Sequence, residues 1–350
     1  MVLAALGIAG AMSAKGTSPH GGSDDASAVA GMPQAQAVGR FVDGSISTND
    51  GTRRWRLWVP RAYDASRKYP LIVMLHGCTQ APDDLARGTR VTEHADRNGL
   101  LVLLPEQPES ANPKKCWNWF DQAHQRRDAG EPALIAGATR QVMDAWSIDG
   151  RRIYVAGISA GAAMASLVAV AYPDVYAAVA LHSGIPYRAA SNVMEGVGVM
   201  AKGAADIARI AKLARDEMGP RARRIPAIIL QGSDDPVVRP VNAAQLRDAW
   251  VAMNDLAAGV SSSEAAGPTR ADAESGGLGV SRECHRRRGG SPNCEIELLM
   301  ISGLGHAWSG GSKAGTFTDE RGPDATAEIV RFLLAHSMPA STATPNARGP

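Results

Sequence analysis

The sequence predicts an α/β protein in which helices cover both faces of a mostly parallel sheet. Three observations carry this prediction. The chain has 350 residues and 45% apolar content, which is enough to bury one large core. Its apolar runs alternate with amphipathic stretches along the chain. Most of these runs are continuously apolar, as is typical of strands buried on both faces of a sheet.

Seven segments have the composition of strands. The first alternates apolar and polar side chains, which indicates a half-exposed strand. The other six are continuously apolar and predict the interior of the sheet. The predicted strands are 55–59, 71–75, 100–104, 153–156, 177–181, 227–230 and 296–300.

Five amphipathic stretches between these strands predict helices. Pro132 and Pro323 fit first helical turns, because the backbone N–H that proline lacks has no partner there. Gly99 and Gly150 fit positions at which helices stop. The predicted helices are 83–98, 132–146, 160–172, 242–253 and 323–336.

Two segments depart from this alternation. Residues 188–224 have helical periodicity and predict a helical cap or lid over the strand ends. Residues 256–293 are rich in Gly, Ser and Ala and predict a long loop excursion. Long insertions in compact domains are more often functional than idle. We therefore expect one α/β domain over residues 39–337 that carries both insertions.

The two ends of the chain have a different composition. Residues 13–38 lack apolar periodicity and predict, together with the first residues, a disordered lead-in over 1–38, while 338–350 predict a disordered tail. The first twelve residues form an apolar run that ends in small residues, as in a secretory signal, but lack the usual positive leader. A signal remnant predicts secretion to an extracellular or periplasmic location. An alanine-rich disordered tail is the alternative, and with it a cytoplasmic protein.

The charge balance excludes several classes of partner. Lysine and arginine number 37 against 35 acidic residues, a formal net charge of +2, so no global field attracts nucleic acid or an anionic membrane. The one dense basic run, 285–288, fits a solvated loop, a contact with an anion or a surface being the alternative. No stretch reaches the roughly 18 apolar residues of a membrane span. We expect no nucleic-acid partner and no stable membrane insertion; the sequence leaves the oligomeric state open.

Four cysteines, Cys78, Cys116, Cys284 and Cys294, allow three pairings. Their clustering favours Cys78 with Cys116 and Cys284 with Cys294. An even count supports an oxidising compartment, whereas four free thiols in a cytosolic enzyme are the alternative. A zinc site built on Cys284, His285 and Cys294 lacks a fourth ligand at any usual spacing, so we expect no metal.

The strongest functional motif is Gly157-Ile158-Ser159-Ala160-Gly161, between a predicted strand and an apolar predicted helix. In that context G-x-S-x-G predicts a nucleophile elbow, a sharp turn that presents the serine hydroxyl at the top of the sheet. The helix N-terminus behind Ser159 also directs N–H groups toward a developing oxyanion. A glycine-rich turn is the alternative. We predict that Ser159 is the nucleophile.

A second oxyanion donor is expected from the loop after the strand 71–75, where glycine allows the backbone to approach a substrate. The backbone N–H groups of Cys78 and Ala160 are the predicted oxyanion hole. His76 ends a buried strand and is expected to make structural hydrogen bonds instead of acting as the base.

The acid and the base are expected later in the chain. Asp234 and Asp235 follow the strand 227–230, and we favour Asp235 as the acid, a plain Asx turn being the alternative. His306 follows the last strand in a glycine-rich loop and is the predicted base. His336 is better explained by helix capping. The chain order Ser, Asp, His is that of the α/β-hydrolase fold, here with a helical cap insert.

With these motifs, the chain resembles the polyhydroxybutyrate depolymerase-type esterases and, more distantly, feruloyl and acetylxylan esterases. The resemblance implies a serine esterase that needs no cofactor and cleaves esters of short hydroxyalkanoate oligomers or polyhydroxybutyrate. The matching stretches lie in the family's order at 75–80, 115–120, 157–161, 232–237 and 305–311.

The resemblance also implies roles for particular residues. It implies a Cys78–Cys116 disulfide that fixes the oxyanion loop, and it supports Asp235 as the acid. It implies that Trp308, with Trp117 or Trp119, lines an apolar cleft for the substrate. From the residues alone, these tryptophans fit a core position equally well.

The sequence departs from the family in two places. Ala162 replaces a frequent glycine after the elbow, a mild change. No Thr-rich linker or polymer-binding domain follows residue 337 in this sequence, so we expect soluble oligomers or simple esters as substrates. A carbohydrate-linked feruloyl or acetyl esterase is the first alternative function. A binding protein without catalysis is the second, against which the complete Ser, Asp and His set argues.

Overall fold

A ten-stranded sheet forms the centre of the fold. The computed structural model describes residues 38–259, 268–287 and 291–339. The ten strands are β1 (Arg40–Thr48), β2 (Gly51–Val59), β3 (Tyr69–Leu75), β4 (Leu101–Pro105), β5 (Ile148–Ile158), β6 (Ala178–His182), β7 (Ala227–Gly232), β8 (Thr269–Ser275), β9 (Leu278–His285) and β10 (Ile296–Ile301). Two short strands, β11 (Trp308–Ser309) and β12 (Thr318–Asp319), form a separate pair.

The strands lie in the order β1-β2-β4-β3-β5-β6-β7-β10-β9-β8. The six strands from β4 to β10 in that order pair in parallel, and antiparallel strands extend the sheet at both edges. All seven predicted strands are present. The predicted class, a mostly parallel sheet with helices, is therefore confirmed.

Eight α-helices accompany the sheet in the described part of the chain, together with two 3-10 turns. The helices are α1 (Pro82–Thr89), α2 (Val91–Asn98), α3 (Gly130–Ala145), α4 (Ala160–Ala171), α5 (Val193–Lys202), α6 (Ile207–Met218), α7 (Val241–Ala258) and α8 (Ala325–Leu334). Over those same residues, none of the helices is long and apolar enough to cross a membrane.

Both faces of the sheet are buried, which explains why its central strands are continuously apolar. Leu71, Val73 and Leu75 of β3 pack into one apolar cluster, and the alternating Ile72 and Met74 pack into a second cluster on the other face. All twelve residues of α4 are buried, so this helix is apolar all round. The helix after the elbow is thus held rigidly against the sheet.

Three of the antiparallel strands toward the two edges of the sheet, β1, β8 and β9, were not predicted from the sequence. The segment 256–293, expected to be a loop excursion, contains the hairpin of β8 and β9, which pairs with β10. Among the described residues, strand β1 at the opposite edge pairs with β2 alone. The side chains of β8 are almost all exposed, so its sequence has no apolar signature. Edge strands of this kind gain their stability from a partner strand.

Several helix boundaries also differ from the prediction: α7 runs five residues past the expected end at 253, and α8 begins at Ala325, so Pro323 precedes its first turn. The expected helix 83–98 is two helices, because Arg90 adopts φ 53° and ends α1 while α2 begins. Helix α3 ends at Ala145, and Gly150 lies inside β5 instead of stopping a helix. Gly99 does cap α2, in the left-handed conformation.

The segment 188–224, predicted to be a cap or lid, contains α5 and α6. Asn192 and Asp206 cap the two helices by accepting hydrogen bonds from the N–H groups of Glu195 and Arg209. The role of this segment as a cap stays a prediction. The predicted tail and lead-in, with the signal-like start, lie almost wholly outside the described residues, and Arg288 of the basic run lies outside them too.

The four cysteines form two disulfides, Cys78–Cys116 and Cys284–Cys294. These are the pairs that the clustering of the cysteines favoured. The first joins the loop after β3 to the segment after β4, and the second joins β9 to the residues before β10.

Candidate active site

Ser159 lies on a sharp turn between β5 and α4. Its φ of 57° is rarely adopted by residues other than glycine. The turn is closely packed: a Cβ on Gly157 would lie 2.4 Å from the backbone of Gly161, and one on Gly161 would lie 2.2 Å from the carbonyl oxygen of Leu75. The two glycines of the motif are therefore required by space, as a nucleophile elbow demands.

The structure brings Ser159, His306 and Asp235 together from three loops. The Ser159 hydroxyl donates to His306 Nε2 at 2.9 Å. His306 Nδ1–H donates to Asp235 Oδ2 at 2.8 Å. The imidazole of His306 is thus oriented from one side and faces the serine on the other, the arrangement that activates a hydroxyl nucleophile.

Asp235 is fully buried and satisfied by four donors. Besides His306, Gln231 Nε2 donates to it at 3.0 Å, and the N–H groups of Val237 and Val238 each donate at 2.9 Å. Burial alone raises the pKa of Asp235, but the His306 hydrogen bond and charge and the two N–H groups outweigh it and hold the pKa below its ordinary value. The carboxylate therefore stays ionised beside the imidazole.

Asp234 does not reach His306. Its side chain is exposed, and its Oδ1 accepts a hydrogen bond from Ser233 Oγ at 2.8 Å. Its backbone N–H donates to the carbonyl of Leu304 at 3.0 Å, which ties the turn after β7 to the loop before His306. Of the two adjacent carboxylates, Asp235, which the sequence favoured, is the one hydrogen-bonded to His306.

The loop after β3 lies against Ser159. A Cβ on Gly77 would be 3.5 Å from the Cβ of Ser159, so the backbone at this position borders the serine directly. The Gly77 N–H donates to Gln80 Oε1 at 2.9 Å, and the Thr79 N–H donates to the Lys114 carbonyl at 2.6 Å. The N–H of Cys78, between these two engaged groups, stays the predicted oxyanion donor with that of Ala160.

His76 is a structural residue, as expected from its position at the end of β3. It is fully buried, its Nε2 accepts from the N–H of Gln107 at 3.0 Å, and its Nδ1–H donates to the Gly77 carbonyl at 2.8 Å. Burial lowers the pKa of His76 to about 4, so the ring is neutral near pH 7.

A pocket of about 220 Å³ opens beside Ser159 and His306. Apart from Ile158 next to the serine, its apolar side chains come from Met200 of α5, Val237 after β7 and Phe317 before β12. The Phe317 ring also meets the His306 ring edge to face, with 6.4 Å between centroids. The wall is therefore assembled from three segments that are far apart in the chain.

The prediction that tryptophans line the substrate cleft is wrong. Trp117, Trp119 and Trp308 are 0%, 6% and 1% exposed and belong to the apolar core, and none of them lines the pocket. Trp308 stacks on His182 and donates to Thr326 Oγ1 at 3.1 Å, which satisfies its indole N–H away from the site. These large aromatic side chains lie next to the catalytic motifs in sequence, but they pack in the apolar core.

The residues that do line the pocket carry weak sequence signals. Val237 is 42% exposed and Phe317 is 46% exposed, and both lie in loops without periodicity. Phe317 also has φ 52°, a conformation unusual for a bulky residue and invisible in the sequence. Only the helical pattern of 188–224 pointed to the region of Met200. In the described ranges, no group of three or more His, Cys, Asp or Glu side chains could hold a metal ion.

A known protein family matches a large part of the chain. The family model described as esterase PHB depolymerase matches residues 54–275, more than half of the chain. The matched range includes Ser159 and Asp235 and ends before His306.

Two of the curated relatives each match more than half of this chain. Poly(3-hydroxyalkanoate) depolymerase C of Paucimonas lemoignei is 30% identical over 265 residues, which cover 75% of this chain and 60% of the relative. Feruloyl esterase B of Thermothelomyces thermophilus is 28% identical over 207 residues, 55% of this chain and 68% of the relative. The chain thus spans well under the full length of the depolymerase.

Among solved structures, an acetyl xylan esterase from Aspergillus awamori superposes with a TM-score of 0.60 at 19% identity, covering 76% of this chain and 94% of that one. At this identity the likeness concerns the fold, which is that of the α/β-hydrolase esterases. With its fold, its Ser-His-Asp geometry and the matching family model, the chain belongs to the esterase PHB depolymerase family.

Proposed function

We propose that this protein hydrolyses carboxylic esters through an acyl-enzyme formed on Ser159. The observation that carries the proposal is the continuous pair of hydrogen bonds from Ser159 Oγ to His306 Nε2, 2.9 Å, and from His306 Nδ1 to Asp235 Oδ2, 2.8 Å. This chain of contacts ends at an apolar pocket open to a substrate.

In the first half of the reaction, His306 Nε2 takes the proton of Ser159 as its oxygen attacks the ester carbonyl. Asp235 keeps the proton of Nδ1 in place and stabilises the imidazolium. The backbone N–H groups of Cys78 and Ala160 bind the oxyanion. The intermediate then collapses, His306 passes its proton to the departing alcohol oxygen, and the acyl group stays on Ser159.

In the second half, water replaces the alcohol. His306 Nε2 takes a proton from the water as its oxygen attacks the acyl carbon, and the carbon–Oγ bond breaks. The proton returns to Ser159, and the carboxylic acid leaves. The cycle uses side chains and backbone of this chain and one water per ester.

For the substrate we propose esters of short hydroxyalkanoate oligomers or polyhydroxybutyrate. Met200, Val237 and Phe317 offer an apolar wall to aliphatic units, and the pocket of about 220 Å³ suits small acyl groups. The 30% identical relative from Paucimonas lemoignei, a poly(3-hydroxyalkanoate) depolymerase, supports the same class.

Helix α5 supports an extended apolar substrate. Val193, Val197 and Met200 follow each other at intervals of four and three residues, so they share one face of the helix. Val193 is 56% exposed and Val197 is 58% exposed, and the neighbouring Met194 is 80% exposed. Because Met200 lines the pocket, this face leads from the pocket outward. We expect the polyester chain beyond the scissile bond to follow it.

A feruloyl or acetylxylan esterase is the second candidate. The 28% identity to a feruloyl esterase over 207 residues favours it. A carbohydrate leaving group would need polar partners near Ser159, whereas the exposed face of α5 is apolar.

For the compartment we propose secretion to an extracellular or periplasmic location. The support is the presence of two disulfides, which persist in oxidising environments.

The experiment compares hydroxybutyrate trimers, a feruloyl ester and a short nitrophenyl ester as substrates of the wild type. We expect the highest kcat/KM on the trimer, because it engages both the pocket and α5. Ser159→Ala should reduce turnover of every ester by several orders of magnitude. The matched control is Ser166→Ala in α4, a buried serine whose hydroxyl has no partner among the described residues.

Near-native turnover by Ser159→Ala would rule out Ser159 as the nucleophile. Faster hydrolysis of the feruloyl ester than of the trimer would instead retain the mechanism and replace the substrate by the second candidate.

A further inference from the structure

Glu131 is a buried carboxylate that the reaction described above does not use. It is the second residue of α3, where the helix N-terminus favours negative charge, and its side chain is 0% exposed. It accepts four hydrogen bonds: from Arg53 Nη2 at 3.3 Å, Gln107 Nε2 at 2.5 Å, and the backbone N–H and Nδ2 of Asn118 at 2.7 and 2.8 Å. Burying a charged carboxylate costs free energy unless it is hydrogen-bonded, and these four donors offset that cost for Glu131.

One route leads from Glu131 to the oxyanion loop through Gln107. The amide of Gln107 donates both to Glu131 and to the carbonyl of Cys116, the latter at 3.0 Å. The Gln107 backbone N–H donates to His76 Nε2 at 3.0 Å. Since Nε2 accepts, Nδ1 of the neutral ring carries the proton, and it donates to the Gly77 carbonyl at 2.8 Å. Glu131 thereby orients the ring that holds Gly77.

A second route leads through Asn118. Both its backbone N–H and its side-chain amide are bound by Glu131, which fixes the segment 116–118 against α3. Cys116 in that segment is bonded to Cys78. The two routes therefore converge on the adjacent residues Gly77 and Cys78. Gly77 borders Ser159, and both residues line the pocket beside it.

We propose that Glu131 is a positioning residue for the oxyanion hole. It holds Gln107 and the segment 116–118 so that the Cys78 N–H is presented at the place where the oxyanion of the substrate forms. A carboxylate suits this task because it is acceptor-only and can take four donors at once. The inference rests on the proposed ester hydrolysis at Ser159, since an oxyanion donor matters only if an acyl carbon is attacked there.

The test is Glu131→Gln, which keeps the size of the side chain but turns an amide NH₂ toward one of the four donors. We expect kcat on the nitrophenyl ester to fall about 10- to 100-fold, because a displaced oxyanion donor acts on the transition state. KM should change little, since the apolar pocket is unaltered.

The matched control is Glu297→Gln. Glu297 of β10 is also a buried carboxylate, 1% exposed, and it pairs with Arg282 and Arg331 away from the pocket. Both variants should melt at lower temperature, and kcat measured well below both melting temperatures should fall only in Glu131→Gln. A wild-type kcat in Glu131→Gln, with a lowered melting temperature like that of the control, would reduce Glu131 to a structural role and overturn the proposal.

Asn118→Ala keeps the test decisive if Glu131→Gln does not fold, because it removes one side-chain donor and leaves the carboxylate in place. We expect a smaller loss of kcat, again with little change in KM; an unchanged kcat would overturn the proposal.

Combining Asn118→Ala with Cys78→Ser and Cys116→Ser should lower kcat by less than the product of the separate effects, since both act on the same loop. A combined loss of kcat equal to the product of the separate losses would show that Asn118 and the disulfide act independently, and would overturn their shared route to the oxyanion loop. A wild type without esterase activity would contradict the proposed function itself.

Discussion

Two adjacent aspartates, Asp234 and Asp235, differ in burial and in their hydrogen-bond partners. Asp235 is buried, accepts four hydrogen bonds and holds His306, whereas Asp234 is exposed and bonds to Ser233. Asp235→Asn would place an amide NH₂ against a site where every partner is a donor. We expect kcat to fall about 10³- to 10⁴-fold, because the imidazole loses the acceptor that fixes its tautomer.

The control for this prediction is Asp234→Asn, which should keep kcat within a few-fold of the wild type. Steady-state kinetics on the nitrophenyl ester measure both. A large loss in Asp234→Asn together with a small one in Asp235→Asn would reverse the assignment of the acid.

The two disulfides join different elements and predict different consequences. Cys78–Cys116 closes a separation of 38 residues and Cys284–Cys294 one of 10. On the chain-entropy model they contribute about 4 and about 3 kcal/mol to the free energy of unfolding. Only the first touches the loop beside Ser159. Cys78→Ser with Cys116→Ser should therefore lower both the melting temperature and kcat, by about 100-fold where the oxyanion donor is displaced.

Cys284→Ser with Cys294→Ser is the matched pair at the edge of the sheet. Its melting temperature should fall while kcat at lower temperature stays near that of the wild type. Equal losses of kcat in the two double variants would remove the link between the first disulfide and the oxyanion loop. Peptide mapping without reduction checks that both bonds are present in the purified protein.

Across the folded chain, buried neutral histidines make stability depend on pH. Burial, aided by the charge of His306, lowers the pKa of His182 to about 3, and burial lowers the pKa values of His76 and His336 to about 4. In the unfolded chain all three rings titrate near pH 6.5. Between pH 6.5 and 4 the unfolded state therefore binds more protons, so stability falls as pH falls.

At pH 5 each of these three rings should cost about 2 kcal/mol relative to pH 7.5, about 6 kcal/mol together. Carboxylates such as Asp235 and Asp324, whose pKa values lie below the ordinary one, act in a lower window. Their stabilisation persists above about pH 4 and is lost as pH falls through the folded-state pKa. Denaturant unfolding at pH 7.5, 6 and 5 measures the histidine contribution separately.

The variant His182→Phe keeps a ring against Trp308 and removes one titration. The difference in unfolding free energy between pH 7.5 and pH 5 should shrink by about 2 kcal/mol. Ser183→Ala, which removes the hydroxyl 3.2 Å from His182 Nδ1 but keeps the imidazole, is the control and should keep the full difference. An unchanged difference in His182→Phe would contradict this account.

Much of the fold was predictable from the sequence because its signals are local. The central strands are continuously apolar since both sheet faces are covered, and that burial shows in each strand alone. The left-handed Arg90 between α1 and α2 was missed because nothing in the periodicity of 83–98 marks a break. The β8–β9 hairpin was missed because exposed edge strands depend on a partner strand for their stability.

The sequence by itself determined the fold class and the assembly of Ser159, Asp235 and His306. In a parallel sheet the carboxyl ends of all strands meet at one edge, so residues that follow different strands converge whatever their separation. Only the tertiary structure decided what surrounds them. Met200, Val237 and Phe317 form the pocket, while Trp117 and Trp308 fill the core, because side-chain surroundings depend on which distant segments pack together. The buried Glu131 network was likewise visible only once Gln107 and Asn118 lay beside the start of α3.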